Sequence, residues 1–232
     1  MQTTAPIAAD VEIQQIRPGV WVHTSYYTYP NGTRFPANGL IVREDDGLFL
    51  VDTAWGERLT LVLLDRIEAE IGLPVRRALV THSHYDRVAG VDVLEARGVA
   101  VLAHPLTQTR TVGQGMPVPA DTLAGLDAPG AHVSLGSVEA FYPGPGHAPD
   151  NLMVWVPAER VLFGGCAVRA ASSGSLGSVA DANLEAWPEA IRRAQARYPE
   201  AEIVVPGHGA TGGPELLNHT LGLFEKTPPG RH

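Results

Sequence analysis

The chain has only one cysteine, Cys166, among its 232 residues. A single thiol excludes an intramolecular disulfide, so the fold must rest on a packed core and not on covalent cross-links. Hydrophobic residues make up 44% of the chain and charged residues 18%, as in a globular protein with one large or two small domains. A lone cysteine that follows two glycines is expected to be a metal ligand, a nucleophile or a core residue.

Basic charge is also scarce, because 25 acidic residues outnumber 17 Lys and Arg and give a formal net charge of −8. This balance argues against nucleic acid or an anionic membrane as the main partner. No apolar run approaches the roughly 20 residues that span a bilayer. Residues 1–10 lack the basic and apolar regions of a signal peptide, so the protein is either cytoplasmic or exported through a leader absent from this chain.

Four short apolar runs, each predicted to be a buried strand, lead directly into potential metal ligands. The runs are residues 78–80, 138–142, 161–163 and 203–205. The side chains that follow them are His82, His84, Asp86, His147, Cys166 and His208. Strand ends are where a rigid scaffold carries Gly-rich functional loops, so this pattern predicts a site.

The spacing of the first ligands favours metal binding over a polar strand end with incidental histidines. His82 and His84 are two residues apart, so an extended chain places both on one side, and Asp86 follows at the turn into a helix. Three histidines suit one zinc, and Asp, Cys and His suit a second. A cysteine-protease site would pair Cys166 with one histidine but would leave the other four ligands unexplained.

The remaining elements indicate one α/β domain over residues 1–232, built of two similar halves, about 1–115 and 116–232. Further strands are predicted at 11–17, 19–24, 40–42, 48–52 and 99–103, and helices at 59–71, 88–96, 105–112, 183–198 and 214–226. Strands that alternate with helices in both halves predict two facing sheets with helices outside. Asp52, at the end of one strand, is predicted either to orient a His ligand or to cap the strand.

At these residues the chain resembles the metallo-β-lactamase superfamily, whose signature is H-x-H-x-D-H. The sixth place is Arg87 here, and Cys166 stands where most of the superfamily has Asp. That pair is similar to subclass B1, and the likeness is closest to its VIM-type branch. The resemblance implies an αβ/βα four-layer sandwich with two facing mixed sheets and a site in a groove at one edge.

The resemblance also implies two Zn²⁺ ions per chain and a role for each ligand. It assigns His82, His84 and His147 to the first zinc, and Asp86, Cys166 and His208 to the second. Asp86 is also expected to orient the attacking hydroxide. Members of the family are usually exported to the periplasm, which would require the absent leader.

Four further residues are implied to bind the substrate. Arg169 lies where the family places a basic residue for the substrate carboxylate, and Ser178 replaces an Asn credited with helping the carbonyl oxygen. Residues 25–35 map to a mobile flap, from which Tyr27, together with Trp55, is expected to cover apolar parts of the substrate.

The expected activity is zinc-dependent hydrolysis of the β-lactam amide bond in penicillins, cephalosporins and carbapenems, which confers antibiotic resistance. The substrate is thus a small molecule, and the protein is expected to be a monomer. A thioester or lactone hydrolase of the same superfamily is the alternative, against which Arg87 and Cys166 count. A non-catalytic metal-binding protein is a third possibility that a turnover assay separates.

Overall fold

The computed structural model describes residues 10–226, which form two compact units divided between Leu123 and Ala124. The first unit holds a seven-stranded sheet whose strands lie side by side in chain order. The strands are β1 (Val11–Arg17), β2 (Val20–Thr28), β3 (Arg34–Glu44), β4 (Gly47–Val51), β5 (Val75–Val80), β6 (Ala100–Ala103) and β7 (Asp121–Thr122). The helices are α1 (Gly56–Glu70), α2 (Tyr85–Val88), α3 (Val91–Ala96) and α4 (Pro105–Gln114).

The sheet of the first unit is mixed. Strands β1 to β4 pair antiparallel, and β4 to β7 pair parallel. Strands β3 and β4 form a hairpin in which Glu44 pairs with Gly47 across a two-residue turn. Since β4 and β5 run parallel, the loops that follow Val51 and Val80 leave from the same edge of the sheet.

The core of the first unit lies between this sheet and α1. Leu59, Leu63 and Ile67 lie one helical turn apart and pack into a buried cluster that includes Leu48 and Leu50 of β4. The predicted stop of α1 is also confirmed. Gly72 adopts a φ of 73°, and its N–H bonds to the carbonyl of Ile67, a closure that favours glycine.

The helix predicted over residues 88–96 is wrong as one element, because the chain forms α2 and α3 with a break at Gly90. The N–H of Gly90 donates to the hydroxyl of Thr53 instead of continuing a helix. A Cβ at Gly90 would lie 2.0 Å from the hydroxyl of Thr60 on α1. The chain at residue 90 therefore lies too close to α1 for any residue with a side chain.

The second unit holds a five-stranded sheet in the order β12-β11-β10-β9-β8. The strands are β8 (His132–Ser134), β9 (Glu139–Phe141), β10 (Met153–Val156), β11 (Val161–Gly165) and β12 (Ile203–Pro206). Its helices are α5 (Trp187–Arg197) and α6 (Glu215–Lys226). Only β11 and β12 pair parallel, so β9, β11 and β12 all run in one direction.

The core of the second unit gathers around Trp187, which is fully buried. Trp155, Tyr198 and Phe141 form a group of neighbouring rings, and Phe224 of α6 lies edge-on to Trp187. Both units therefore contain a mixed sheet with helices, as the sequence predicts. Among residues 10–226, no helix has the length and apolar character needed to cross a membrane.

His23 is fully buried on β2. Its Nε2 lies 3.1 Å from the carbonyl of Val51 and donates to it across Gly39 of β3. A Cβ at Gly39 would lie 2.1 Å from that nitrogen, so glycine is required for the contact. Burial lowers the pKa of His23 from 6.5 to about 4, and the imidazole stays neutral at pH 7.

We expect His23 to destabilise the fold in acid. Because its folded pKa lies below its unfolded value, its contribution to stability is complete above about pH 6.5 and is lost as pH falls toward about 4. The loss amounts to as much as about 3 kcal/mol. Urea unfolding of metal-free protein at pH 7.5 to 4.5 should therefore show a steeper decline for the parent than for His23→Gln. Parallel profiles would contradict the assignment.

Candidate metal centre

His82 and His84 lie directly after β5, in the first unit. His82 is buried and His84 partly exposed. Nε2 of His82 lies 3.1 Å from Nδ1 of His84, so the side chains point to one side as the spacing predicts. Zinc–nitrogen bonds of about 2.0–2.1 Å at tetrahedral angles separate two donor atoms by roughly 3.3–3.4 Å. The pair is therefore arranged as two ligands of one zinc ion.

Asp52 supports this pair through Thr81. Its carboxylate accepts hydrogen bonds from the backbone N–H of Thr81 at 2.7 Å and from its hydroxyl at 3.0 Å. The same hydroxyl lies 3.2 Å from Nδ1 of His82. Asp52 thus acts on the histidine through an intervening threonine, and its backbone has a left-handed φ of 63°. A hydrogen bond at Nδ1 leaves Nε2 as the nitrogen for a metal.

Arg87 is a completely buried cation in α2. Its guanidinium bonds to the carboxylate of Asp52 at 3.1 Å, to that of Asp86 at 2.8 Å, and to the carbonyl of Asn38 at 2.5 Å. Burial raises the pKa of Asp52 to about 6 against the opposing effects of Arg87 and Thr81, so the carboxylate is ionised at pH 7. Arg87 therefore holds in place both the candidate ligand Asp86 and the carboxylate of Asp52, which contacts Thr81 next to His82.

Aromatic rings form a partly exposed group beside these residues. One of its members, Tyr85, is not among the residues predicted from the sequence. Tyr27 and Phe35 lie opposite each other on β2 and β3, and their ring centroids are 5.4 and 6.4 Å from that of Trp55. Residues 25–35, which map to the predicted flap, form a hairpin whose turn is closed by a hydrogen bond from the N–H of Gly32 to the carbonyl of Tyr29. Tyr85, 49% exposed between His84 and Asp86, lies 6.3 Å from Trp55.

A cavity of about 570 Å³ lies against this aromatic group, within the first unit. Tyr27, Trp55 and Tyr85 form part of its wall, and Glu57 and Arg58 supply charge. Its volume falls in the range of small-molecule sites. Tyr85 is identifiable from the sequence only by its place between two ligands.

The second unit places its three ligands after strands that share one direction, β9, β11 and β12. Sγ of Cys166 lies 3.2 Å from Nε2 of His208, at a separation suited to two ligands of one zinc. The N–H of Gly207 bonds to the carbonyl of Gly165 at 2.7 Å. A Cβ at Gly207 would lie 2.7 Å from the sulfur, so glycine allows the close approach of the two ligands.

His147 is 5% exposed in a loop that the side chain of Asn151 holds together. That amide accepts from the N–H of Ala148 at 2.9 Å and donates to the carbonyl of Gly144 at 3.1 Å. The ring of Trp187 packs 5.6 Å from that of His147, and its Nε1 donates to the carbonyl of Ala167, next to Cys166. Trp187 thus contacts both segments that carry candidate ligands, and no local pattern in the sequence identifies this role.

Arg169 follows Cys166 by three residues, and its side chain is half-buried. Its backbone N–H donates to the hydroxyl of Thr220 on α6 at 2.9 Å. Farther along this loop, the carbonyl of Ser173 lies 2.9 Å from Nε2 of His219, and Ser178 is exposed. Two contacts with α6 therefore tie down the loop that carries Arg169.

Comparisons with known proteins agree with this arrangement. The family described as the metallo-beta-lactamase superfamily matches residues 32–208. A protein of Bacillus cereus named metallo-beta-lactamase type 2 is 38% identical over 217 residues, covering 93% of this chain and 83% of that protein. A protein of the same name from Bacteroides fragilis is 33% identical over 225 residues, with 94% and 87% covered. This chain belongs to the metallo-β-lactamase superfamily.

Solved structures give the same result for the fold. The metallo-beta-lactamase FIM-1 from Pseudomonas aeruginosa, in its mono-zinc form, is 36% identical with a TM-score of 0.90, covering 95% of this chain and 97% of that one. A metallo-beta-lactamase from Hirschia baltica is 34% identical with a TM-score of 0.89, covering 92% and 97%. The predictions of the family and of its fold class are confirmed. Membership of this family also establishes metal binding.

We expect Arg87 to be among the most costly residues to remove from the first unit. Arg87→Ala leaves the buried carboxylates of Asp52 and Asp86 without their cation, which should lower the free energy of unfolding by about 3–5 kcal/mol. Urea denaturation of the metal-free protein measures the loss. Arg58→Ala, at an exposed site in α1, should change stability by less than about 0.5 kcal/mol. A similar effect of both substitutions would refute the role of Arg87.

Proposed function

We propose that this protein hydrolyses the amide bond of β-lactams with two zinc ions. The observation that carries the proposal is the ligand pattern. His82, His84 and Asp86 precede a buried Arg87, and Cys166 pairs with His208 at 3.2 Å. The relatives of similar length that share most of the chain are named metallo-beta-lactamases.

The proposed ligand sets combine residues of both halves of the sequence. The first zinc would be held by His82, His84 and His147, and the second by Asp86, Cys166 and His208. Three neutral imidazoles suit zinc, and so does a thiolate with one imidazole and one carboxylate. Because each set draws on both halves, we also propose that residues 1–232 act as one domain of two similar halves.

Zinc bound there would supply a Lewis acid for the lactam carbonyl and would lower the pKa of a bound water toward neutrality. The side chains have separate tasks. Asp52, through Thr81, fixes the ring of His82. Asp86 is held by Arg87 at 2.8 Å and can accept a hydrogen bond from the attacking water, which orients it.

The substrate contacts that we propose begin with Arg169. β-Lactams carry a carboxylate beside the ring nitrogen, and a guanidinium binds such a group with two parallel hydrogen bonds. The apolar parts of the substrate would rest on Tyr27 and Trp55, which already form a partly exposed aromatic surface. Ser178 is exposed and could approach the carbonyl oxygen, although its short side chain offers only one donor.

Two further properties belong to this proposal. The protein would act as a monomer, because all six ligands come from one chain. It would act in the periplasm, as members of its family usually do. Sedimentation of the purified protein tests the first property, and fractionation of cells that produce the protein from its own gene tests the second.

The activity is tested by a panel of a penicillin, a cephalosporin, a carbapenem and nitrocefin, measured with and without a chelator. We expect zinc-dependent turnover of these β-lactams that chelation abolishes. A thioester and a lactone serve as comparison substrates. Turnover of either comparison substrate without turnover of any β-lactam would replace the proposed reaction. No metal-dependent turnover at all would indicate a non-catalytic metal protein.

Zinc stoichiometry tests the two ligand sets without an activity assay. We expect elemental analysis to find about two zinc ions per chain, as in two-metal sites. Cys166→Ser should weaken the second zinc most, because it removes the softest ligand, and should leave about one ion bound. His147→Ala should instead weaken the first. One tightly held zinc in the fully active parent would contradict the two-zinc proposal.

Replacing Arg169, the proposed contact of the substrate carboxylate, should weaken substrate binding. A charge-assisted pair in a partly dry site contributes roughly 1.5–3 kcal/mol, so Arg169→Ala should lower kcat/KM about ten- to a hundredfold, mostly through KM. Arg169→Lys should recover part of the loss, since it keeps the charge without the planar fork. Arg192→Ala, an exposed cation of α5, is the control. An unchanged kcat/KM of Arg169→Ala for the penicillin, the cephalosporin and the carbapenem would exclude a contact between Arg169 and the substrate carboxylate.

A further inference from the structure

Among residues 10–226, no carboxylate forms an ion pair with the guanidinium of Arg169, and its buried Nε has no hydrogen-bond partner there. The only ionisable group that acts on its charge there is the thiol of Cys166, three residues earlier. Burial lowers the pKa of Arg169 from its ordinary value, although the group remains charged at pH 7. The orientation of this half-buried guanidinium must therefore depend on contacts other than an ion pair.

The backbone of Gly177 lies next to this guanidinium. A Cβ at Gly177 would lie 2.9 Å from Nη2, 3.0 Å from Nη1 and 3.1 Å from Cζ of Arg169. All three atoms belong to the planar group at the end of the side chain, so a methyl group at this position would force the guanidinium to shift. Gly177 also has a φ of 76°, a conformation that residues with a side chain rarely adopt.

We propose that Gly177 is a positioning residue, which holds the guanidinium of Arg169 against its backbone in the orientation that binds the substrate carboxylate. The inference rests on the proposed β-lactam hydrolysis and adds a specificity-determining contact to it. A bidentate pair depends on the plane of the fork, so even a small displacement of the guanidinium weakens it. The lack of a side chain at Gly177 thus leaves room for the guanidinium of Arg169 at this position.

Gly174 offers a matched control on the same loop. Nothing lies within 4 Å of a Cβ placed there, and its φ is not in the left-handed region. Gly174→Ala therefore adds the same methyl group without touching Arg169. Gly177→Asn is a second test variant, because Asn tolerates a left-handed backbone better than Ala and still carries a Cβ.

The kinetic experiment compares one penicillin with its methyl ester, which has no carboxylate for Arg169. We expect Gly177→Ala and Gly177→Asn to raise KM for the acid about tenfold with kcat changed less than about twofold, and to leave the ester nearly unaffected. Gly174→Ala should match the parent on both substrates. In an Arg169→Ala background, Gly177→Ala should have no further effect, because its target is gone.

A second measurement does not depend on activity. Phenylglyoxal modifies exposed guanidinium groups, and peptide mass spectrometry gives the rate at Arg169 in the metal-free protein. We expect Gly177→Ala to raise this rate several-fold by displacing the group from its half-buried position, and Gly174→Ala to leave it unchanged.

The two measurements separate the possible failures. Equal labelling of Arg169 in the parent and in both Gly177 variants would overturn the contact, as would a KM effect that persists in the Arg169→Ala background. If the parent hydrolyses no β-lactam but Gly177→Ala still speeds labelling, the proposed function fails and the positioning contact stands. An equal rise in KM for acid and ester would also overturn the proposal, because it would not act through the carboxylate.

Discussion

The arrangement of the first unit depends on the desolvated charge of Arg87. A fully buried guanidinium costs several kcal/mol unless it is paired, and here two carboxylates and a backbone carbonyl contact its two terminal nitrogens. Because Asp52 lies after β4 and Asp86 within α2, one cation joins the strand end to the short helix. The geometry of His82 follows from it through Asp52 and Thr81. Near the candidate ligands His82 and Asp86, the buried charge of Arg87 thus takes the place of apolar packing.

In the second unit, an aromatic ring and a glycine hold the candidate ligands in place. Trp187 packs on His147 and bonds to the carbonyl beside Cys166, so one side chain steadies ligands that are distant in sequence. Gly207 removes the atoms that would otherwise separate Cys166 from His208. Both Trp187 and Gly207 are uncharged. Together they allow the sulfur of Cys166 and the imidazole of His208 to lie in contact at the edge of the sheet.

Much of this could be predicted because the signals are local. The apolar runs, the helical spacing of 59–71 and the ligand spacing around His82 depend on neighbouring residues, and the structure has the corresponding strands, helix and paired histidines. The break at Gly90 could not be predicted, because it results from the tertiary contact with Thr60. The same holds for Trp187, for the buried His23 and for the contact of Tyr85 with Trp55, which all depend on residues far away in the chain.

Cys166, the only thiol in the chain, gives the protein a built-in spectroscopic label. If cobalt replaces zinc, any sulfur-to-metal charge-transfer absorption must come from this one ligand, because the chain contains no other cysteine. The absorption would therefore report occupancy of the proposed set that includes His208, separately from the proposed set of three histidines. The order in which the two proposed sets fill can be followed in solution, with no mutation and no added dye.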